Sequence, residues 1–164
     1  IFLKKNTLQS GGGNKDITYK FINPYNIKYD YDSFKEEVRQ IINDKKGWGK
    51  YNYSFTEKTK GRVNFSIMLM PYELVMKEFK ENMSWTVTTP NKIDIYINEF
   101  RWTKGSDKLK KTSIKDYRKY LINHEVGHAL GYGHKKCNIN KSKKAPVMLQ
   151  QTLGVGDCEF NPYP

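Results

Sequence analysis

The chain is 164 residues long, 37% hydrophobic and 14% aromatic, and carries a net charge of +12 at pH 7. That length suits a single domain, and no run of about 18 apolar residues exists to form a membrane-spanning helix. Of the 29 basic residues only Arg39, Arg62, Arg101 and Arg118 are arginine; lysine lacks the planar fork that reads phosphates and bases, so specific nucleic-acid recognition is not expected.

Residues 1–16 end in a glycine triplet followed by Asn14-Lys15-Asp16 and read as an N-terminal arm or linker, with one domain over 17–164. The chain begins at Ile1 rather than methionine, which suggests a fragment or processed form. Alternation of β-prone side chains predicts a strand over 17–22. Asp32 or Ser33 is placed to cap a helix over about 33–45, with Phe34, Val38, Ile41 and Ile42 on one face and Gly47 and Gly49 closing it. Strands are predicted over 51–57 and 62–70. Pro71 opens a short helix through about Asn82. A short strand over 84–88 and the Pro90-Asn91 turn lead to 92–98, where Ile93, Ile95 and Ile97 alternate with Asp94, Tyr96 and Asn98. A polar loop over roughly 103–112 precedes a long helix capped by Thr112 or Ser113 and ending near Leu130. Beyond it the chain reads as mostly irregular, with one short helix after Met148. The order of elements predicts an α+β fold with a five-stranded mixed sheet and two main helices.

Residues 124–134 read H-E-V-G-H-A-L-G-Y-G-H and contain all three histidines of the chain. His124 and His128 stand four apart, which on a helix stacks them on one face, where two imidazoles can grip one metal ion. Glu125 sits beside the first ligand, within reach of a metal-bound water rather than of the metal. Gly131 tolerates positive φ, so the helix can stop there and the chain can swing His134 back as a third nitrogen ligand. Three neutral His ligands leave a zinc dication uncompensated and one position open, as a catalytic site requires. The alternative, a helix whose histidines are merely packed or solvated, weakens with five fixed positions in agreement.

This pattern resembles the metzincin zinc-peptidase signature, H-E-x-x-H-x-x-G-x-x-H followed by a methionine turn. Met148, in A-P-V-M-L-Q, stands in the position of that methionine. The flanking text is also similar to that of short bacterial metzincins of uncharacterised role. The resemblance implies a zincin/metzincin-like fold: a twisted sheet above a cleft in an upper lobe (about 17–131) and a small loop-rich lower lobe (about 132–164). It implies one catalytic zinc ion (Zn2+) held by His124, His128 and His134, Glu125 as general base, Met148 as an apolar floor, and a peptide or protein substrate. It also implies an edge strand along the cleft, for which Trp85, Thr86, Val87 and Thr88 are the candidates; a plain core strand is the competing reading. Several metzincin subfamilies carry a tyrosine two residues past the turn methionine. Here that position is Gln150, leaving Tyr132, Tyr163 or no residue to serve the oxyanion, and Lys135 after the third ligand matches none of the usual subfamily markers.

Cys137 and Cys158 bracket Met148, and an even pair suggests one disulfide, the alternative being two separate buried thiols. A bridge implies an oxidising compartment, so a secreted or surface-tethered location through a missing N-terminal region is expected. The expected activity is a zinc metalloendopeptidase, acting as a monomer. The competing readings are a zinc-stabilised module that binds anionic surfaces, motivated by the charge of +12, and a hydrolase of non-protein amides such as cell-wall peptides.

Overall fold

The computed structural model describes residues 14–27 and 30–164; the arm expected over 1–16 lies largely outside the described residues. Five strands form one sheet in the order β2-β1-β3-β5-β4: β1 (Lys15–Phe21), β2 (Tyr53–Glu57), β3 (Phe65–Met70), β4 (Trp85–Thr88) and β5 (Ile93–Asn98). All neighbours run parallel except β4, which pairs antiparallel with β5 in the register Trp85↔Tyr96 to Thr88↔Ile93. The sheet is therefore mixed, and the α+β expectation holds. The central strand β3 is buried at every residue, which explains its unbroken apolar run: a strand with parallel neighbours and covered faces has no solvent side to alternate against.

Four α-helices accompany the sheet among the described residues: α1 (Tyr31–Ile42), α2 (Tyr72–Phe79), α3 (Glu99–Lys104) and α4 (Ile114–Ala129). Helix α1 buries Phe34, Val38, Ile41 and Ile42, as its periodicity predicts. These side chains join Ile67, Leu69, Ile95 and Ile97 of the sheet and Tyr117, Leu121, Ile122 and Val126 of α4 in one core. That core fixes α4 against the sheet and positions the site.

The boundaries differ in instructive places. Helix α1 starts at Tyr31, ahead of the expected caps Asp32 and Ser33, and Asp30 before it makes no side-chain cap. The Tyr31 hydroxyl donates to the Ile22 carbonyl at 2.8 Å, and its ring stacks on Phe34; this docking draws the first turn back, while Asp32 pairs with Lys35 instead. Helix α3 was not expected. The Asn98 side chain accepts from the Phe100 N–H at 2.9 Å, so the last residue of β5 is also the N-cap of a helix. Trp102 on α3 meets Phe34 edge-on with ring centroids 4.9 Å apart, and Arg118 lies over its indole.

Candidate metal centre

Helix α4 carries the site. Its N-cap is Ser113, whose hydroxyl accepts from the Asp116 N–H at 3.1 Å and donates to the Asp116 carboxylate at 2.9 Å. Unlike a surface helix, α4 is buried continuously over Tyr120–Gly127. Its buried polar side chains all have partners: Asn123 donates to the Pro162 carbonyl, His124 bonds the Val147 carbonyl, and Glu125 bonds Thr86. Burial without such partners would cost each of these groups several kcal/mol, on the order of 2–7. At the C-terminus Gly131 takes φ +94°; its N–H donates to the His128 carbonyl and the Tyr132 N–H to the Gly127 carbonyl, both at 2.9 Å. That pair of bonds is a Schellman motif, and it turns the chain so that His134 comes back over α4.

A turn at Pro146–Leu149 closes the site from below, with Leu149 N–H donating to the Pro146 carbonyl at 2.9 Å. Each of the next three carbonyls in it holds part of the site. Val147 O accepts from His124 Nδ1 at 2.8 Å. Met148 O accepts from the Lys135 N–H at 2.9 Å, next to His134. Leu149 O accepts from the Tyr120 hydroxyl at 3.1 Å, and Tyr120 Oη in turn accepts from the Gln151 N–H at 2.8 Å. The Met148 side chain is buried against α4 at Gly127, where a Cβ would collide with Met148 Sδ and lie 2.8 Å from Trp48 Cζ2.

The three rings converge. His128 Nε2 lies 3.2 Å from His124 Nε2 and 3.0 Å from His134 Nε2, and the three residues offer one ligand atom each within 4.8 Å of one another. His128 Nδ1 is bonded to the Tyr132 carbonyl at 2.9 Å. Because a carbonyl only accepts, both His124 and His128 must carry their proton on Nδ1, which leaves the Nε2 lone pairs facing each other. Burial lowers the basicity of all three imidazoles, most at His124, where it brings the pKa to about 3 against the opposing Val147 bond. The inward lone pairs of His124 and His128 repel each other at 3.2 Å. A cation among them removes that conflict. Nitrogen ligands at 2.0–2.1 Å around a tetrahedral zinc stand about 3.3 Å apart, close to the spacing found here.

Glu125 is 3% exposed. Its Oε2 lies 2.6 Å from Thr86 Oγ1, and the same hydroxyl lies 3.0 Å from the Glu125 main-chain carbonyl. Burial pushes the carboxyl up to about 7, with the Thr86 bond opposing. Glu125, the three histidines, Trp85, Thr86, Thr88 and Gln150 line one cleft of about 290 Å³. β4 is an edge of the sheet, so the cleft is bordered by a strand with one unpaired side.

Residues 5–163 match a family described as Protein of unknown function (DUF3152). The chain belongs to that family. Among curated proteins, none matches this sequence. Two solved structures of myroilysin are similar to it, each at 17% identity: one with a TM-score of 0.46 over 76% of this chain and 51% of the other, one with 0.49 over 91% and 53%. The DUF3152 chain thus spans about half the length of the solved structures it matches.

Cys137 and Cys158 are joined, with Cα atoms 5.9 Å apart, which ties the segment after His134 to the C-terminal tail. No helix among the described residues is long and apolar enough to cross a membrane. Neither tyrosine considered for the oxyanion reaches the cleft lining: Tyr132 stacks on Trp48 with its hydroxyl 3.3 Å from that of Tyr53, and Tyr163 donates to Asp44. Gln150 does line the cleft. Sequence reasoning missed the groups that orient the histidines, because Val147 and Tyr132 act through main-chain carbonyls that carry no residue-type signal. The Thr86 hydroxyl bond to Glu125 was missed too; alternation marks Thr86 as strand but does not say what its side chain meets.

Proposed function

We propose that the chain is a zinc-dependent endopeptidase of metzincin type, cleaving peptide bonds outside the cytoplasm. The observation that carries this reading is the convergence of three Nε2 atoms, 3.0–3.2 Å from His128 to its neighbours, in the cleft that Glu125 also lines. His124, His128 and His134 would hold one zinc ion, with Met148 beneath them as floor. Bound there, zinc would supply a Lewis acid for the scissile carbonyl and would lower the pKa of water towards about 7.

The chain's own residues account for the rest. Glu125 takes the proton of the attacking water and returns it to the leaving amine; burial raises its carboxyl, which makes it a stronger base than an exposed glutamate. Thr86 holds that carboxyl against β4 through its hydroxyl bond. Trp85–Thr88 form the edge strand along which an extended peptide can add as a further strand, main chain to main chain. The Val147 and Tyr132 carbonyls keep the imidazole tautomers correct for ligation. The Cys137–Cys158 bridge supports the extracytoplasmic location, since such bonds persist in oxidising compartments. A purely structural metal site has no need of a buried carboxyl beside it, which counts against a binding module without hydrolysis.

Incubating the zinc-loaded chain with a denatured proteome and sequencing the new termini by mass spectrometry tests the reading. New internal termini are expected with the wild type, and Glu125→Gln should retain its zinc while cutting about 10²–10⁴-fold more slowly. Full cleavage by Glu125→Gln would remove the general base. Release of amides from cell-wall peptides, with no protein cut, would favour the non-protein substrate.

A further inference from the structure

A larger cavity, of about 930 Å³, opens beside the Pro146–Met148 turn and shares no lining residue with the histidine cleft. Lys46, Lys50, Lys135, Lys136, Lys141 and Lys144 line it, and no aspartate or glutamate does. All six are exposed, and among the described residues none is in an ion pair with an aspartate or glutamate; Lys50 Nζ donates to the main-chain oxygen of Pro164, which also lines the cavity. Elsewhere on the chain lysines do find acids: Lys35, Lys92 and Lys119 each pair with an aspartate. The concavity therefore concentrates uncompensated positive charge, and such a surface focuses its field on whatever enters.

Between the lysines the lining is mostly aromatic and apolar, with Asn138, Ser142 and Asn161 among it. Tyr51 presents a ring that is 46% exposed, with Lys50 Nζ over it at 5.0 Å, and Tyr132 stacks on the buried Trp48 behind. Position matters as well. Lys135 directly follows His134, and its main chain is bonded to Met148, so the rim of this cavity is continuous with the third ring of the candidate metal centre.

We propose that this cavity binds an acidic peptide segment, its carboxylates meeting the lysine rim and an apolar or aromatic side chain lying against Tyr51. Lysine offers compact single charges suited to separate carboxylates; the arginine forks that grip phosphate are absent from the lining. The apolar floor suits a peptide that mixes acidic and hydrophobic residues better than a uniformly charged polymer. On the peptidase reading, on which this role rests, the cavity is an exosite that selects substrates with an acidic stretch away from the scissile bond. Binding itself does not depend on that reading.

Fluorescence anisotropy on the full chain carrying Glu125→Gln measures binding of a short labelled peptide of alternating Glu and Phe without cleavage. The Glu peptide should bind, its Gln counterpart should not, and binding should weaken as salt rises. Reversing Lys50, Lys141 and Lys144 to Glu should weaken it about tenfold or more, and Tyr51→Ala should weaken it without changing the salt dependence. Circular dichroism confirms that the variants fold. Unchanged affinity after charge reversal would overturn the proposal, as would an oligothymidylate or sulfated polysaccharide that binds tighter than the peptide and displaces it. A wild-type chain that cuts nothing yet binds the Glu peptide in this way supports the site and contradicts only the peptidase reading.

Discussion

Gly127 shows how closely single residues are constrained here. It lies between the two helical histidines, and a Cβ on it would strike Met148 Sδ and approach Trp48 Cζ2 to 2.8 Å. Both neighbours are buried, and the Trp48 indole is fixed by its bond to the Asn123 carbonyl at 2.9 Å. Gly127→Ala should therefore destabilise the fold by about 1–3 kcal/mol, the usual cost of overpacking, read as a lower denaturation midpoint with an unchanged slope. An alanine variant as stable as the wild type would mean that Met148 is not pressed against α4. This requirement was invisible in the sequence, where Gly127 is only one of the two free positions of H-E-x-x-H; the atoms that impose it come from Trp48 and Met148, far away along the chain. The histidines were legible because the i, i+4 spacing and Gly131 are local rules. Asn123, next to His124, serves the tail instead: its side chain donates to the Pro162 carbonyl.

At the scale of elements, the segment after Gly131 owes its shape to few regular bonds. It has one 3-10 turn, Gln151–Leu153, and one isolated bridge, Lys144↔Glu159. The Cys137–Cys158 bond closes it over a separation of 21 residues. Replacing both cysteines with serine should lower stability by about 3 kcal/mol, and because Cys137 stands three residues past His134, zinc affinity should fall with it. Calorimetry with and without zinc measures both; a double variant matching the wild type in each would show the segment to be held by its hydrogen bonds alone. The strands, α2 and α4 were readable from alternation, from Pro71 and from Ser113. Helix α3 was not, because Asn98 ends β5 and caps α3 with no glycine or proline between, and the first punctuation mark, Gly105, comes after the helix is over.

Across the whole molecule the core unites elements distant in sequence, and two tyrosines report on it. Tyr19 of β1 and Tyr117 of α4 are each 1% exposed within the same cluster. Burial pushes both phenols up from 10.0 to about 12. The folded state thus favours their protonated form, so their contribution to stability is complete below the unfolded value of 10.0 and is lost as pH rises from there to about 12. Urea midpoints should fall through that window, with tyrosinate absorbance from these residues rising together with unfolding rather than before it. Complete ionisation near pH 10 in a folded chain would show these rings to be wet. The five strands were foreseen, but their order was not: β1 sits between β2 and β3, and nothing local in a strand says which partner it will find across the sheet. The lysine-rich charge, readable at once from composition, gained a location only when the chain was folded around the 930 Å³ cavity.

The proposed activity needs three imidazoles around one zinc ion. X-ray absorption at the zinc edge of the loaded chain tests it most directly. One zinc per chain is expected, with a nitrogen/oxygen shell at about 2.0–2.1 Å and outer scattering from three imidazoles, falling to two in His134→Ala. A sulfur shell, or a wild-type spectrum unchanged by His134→Ala, would contradict it.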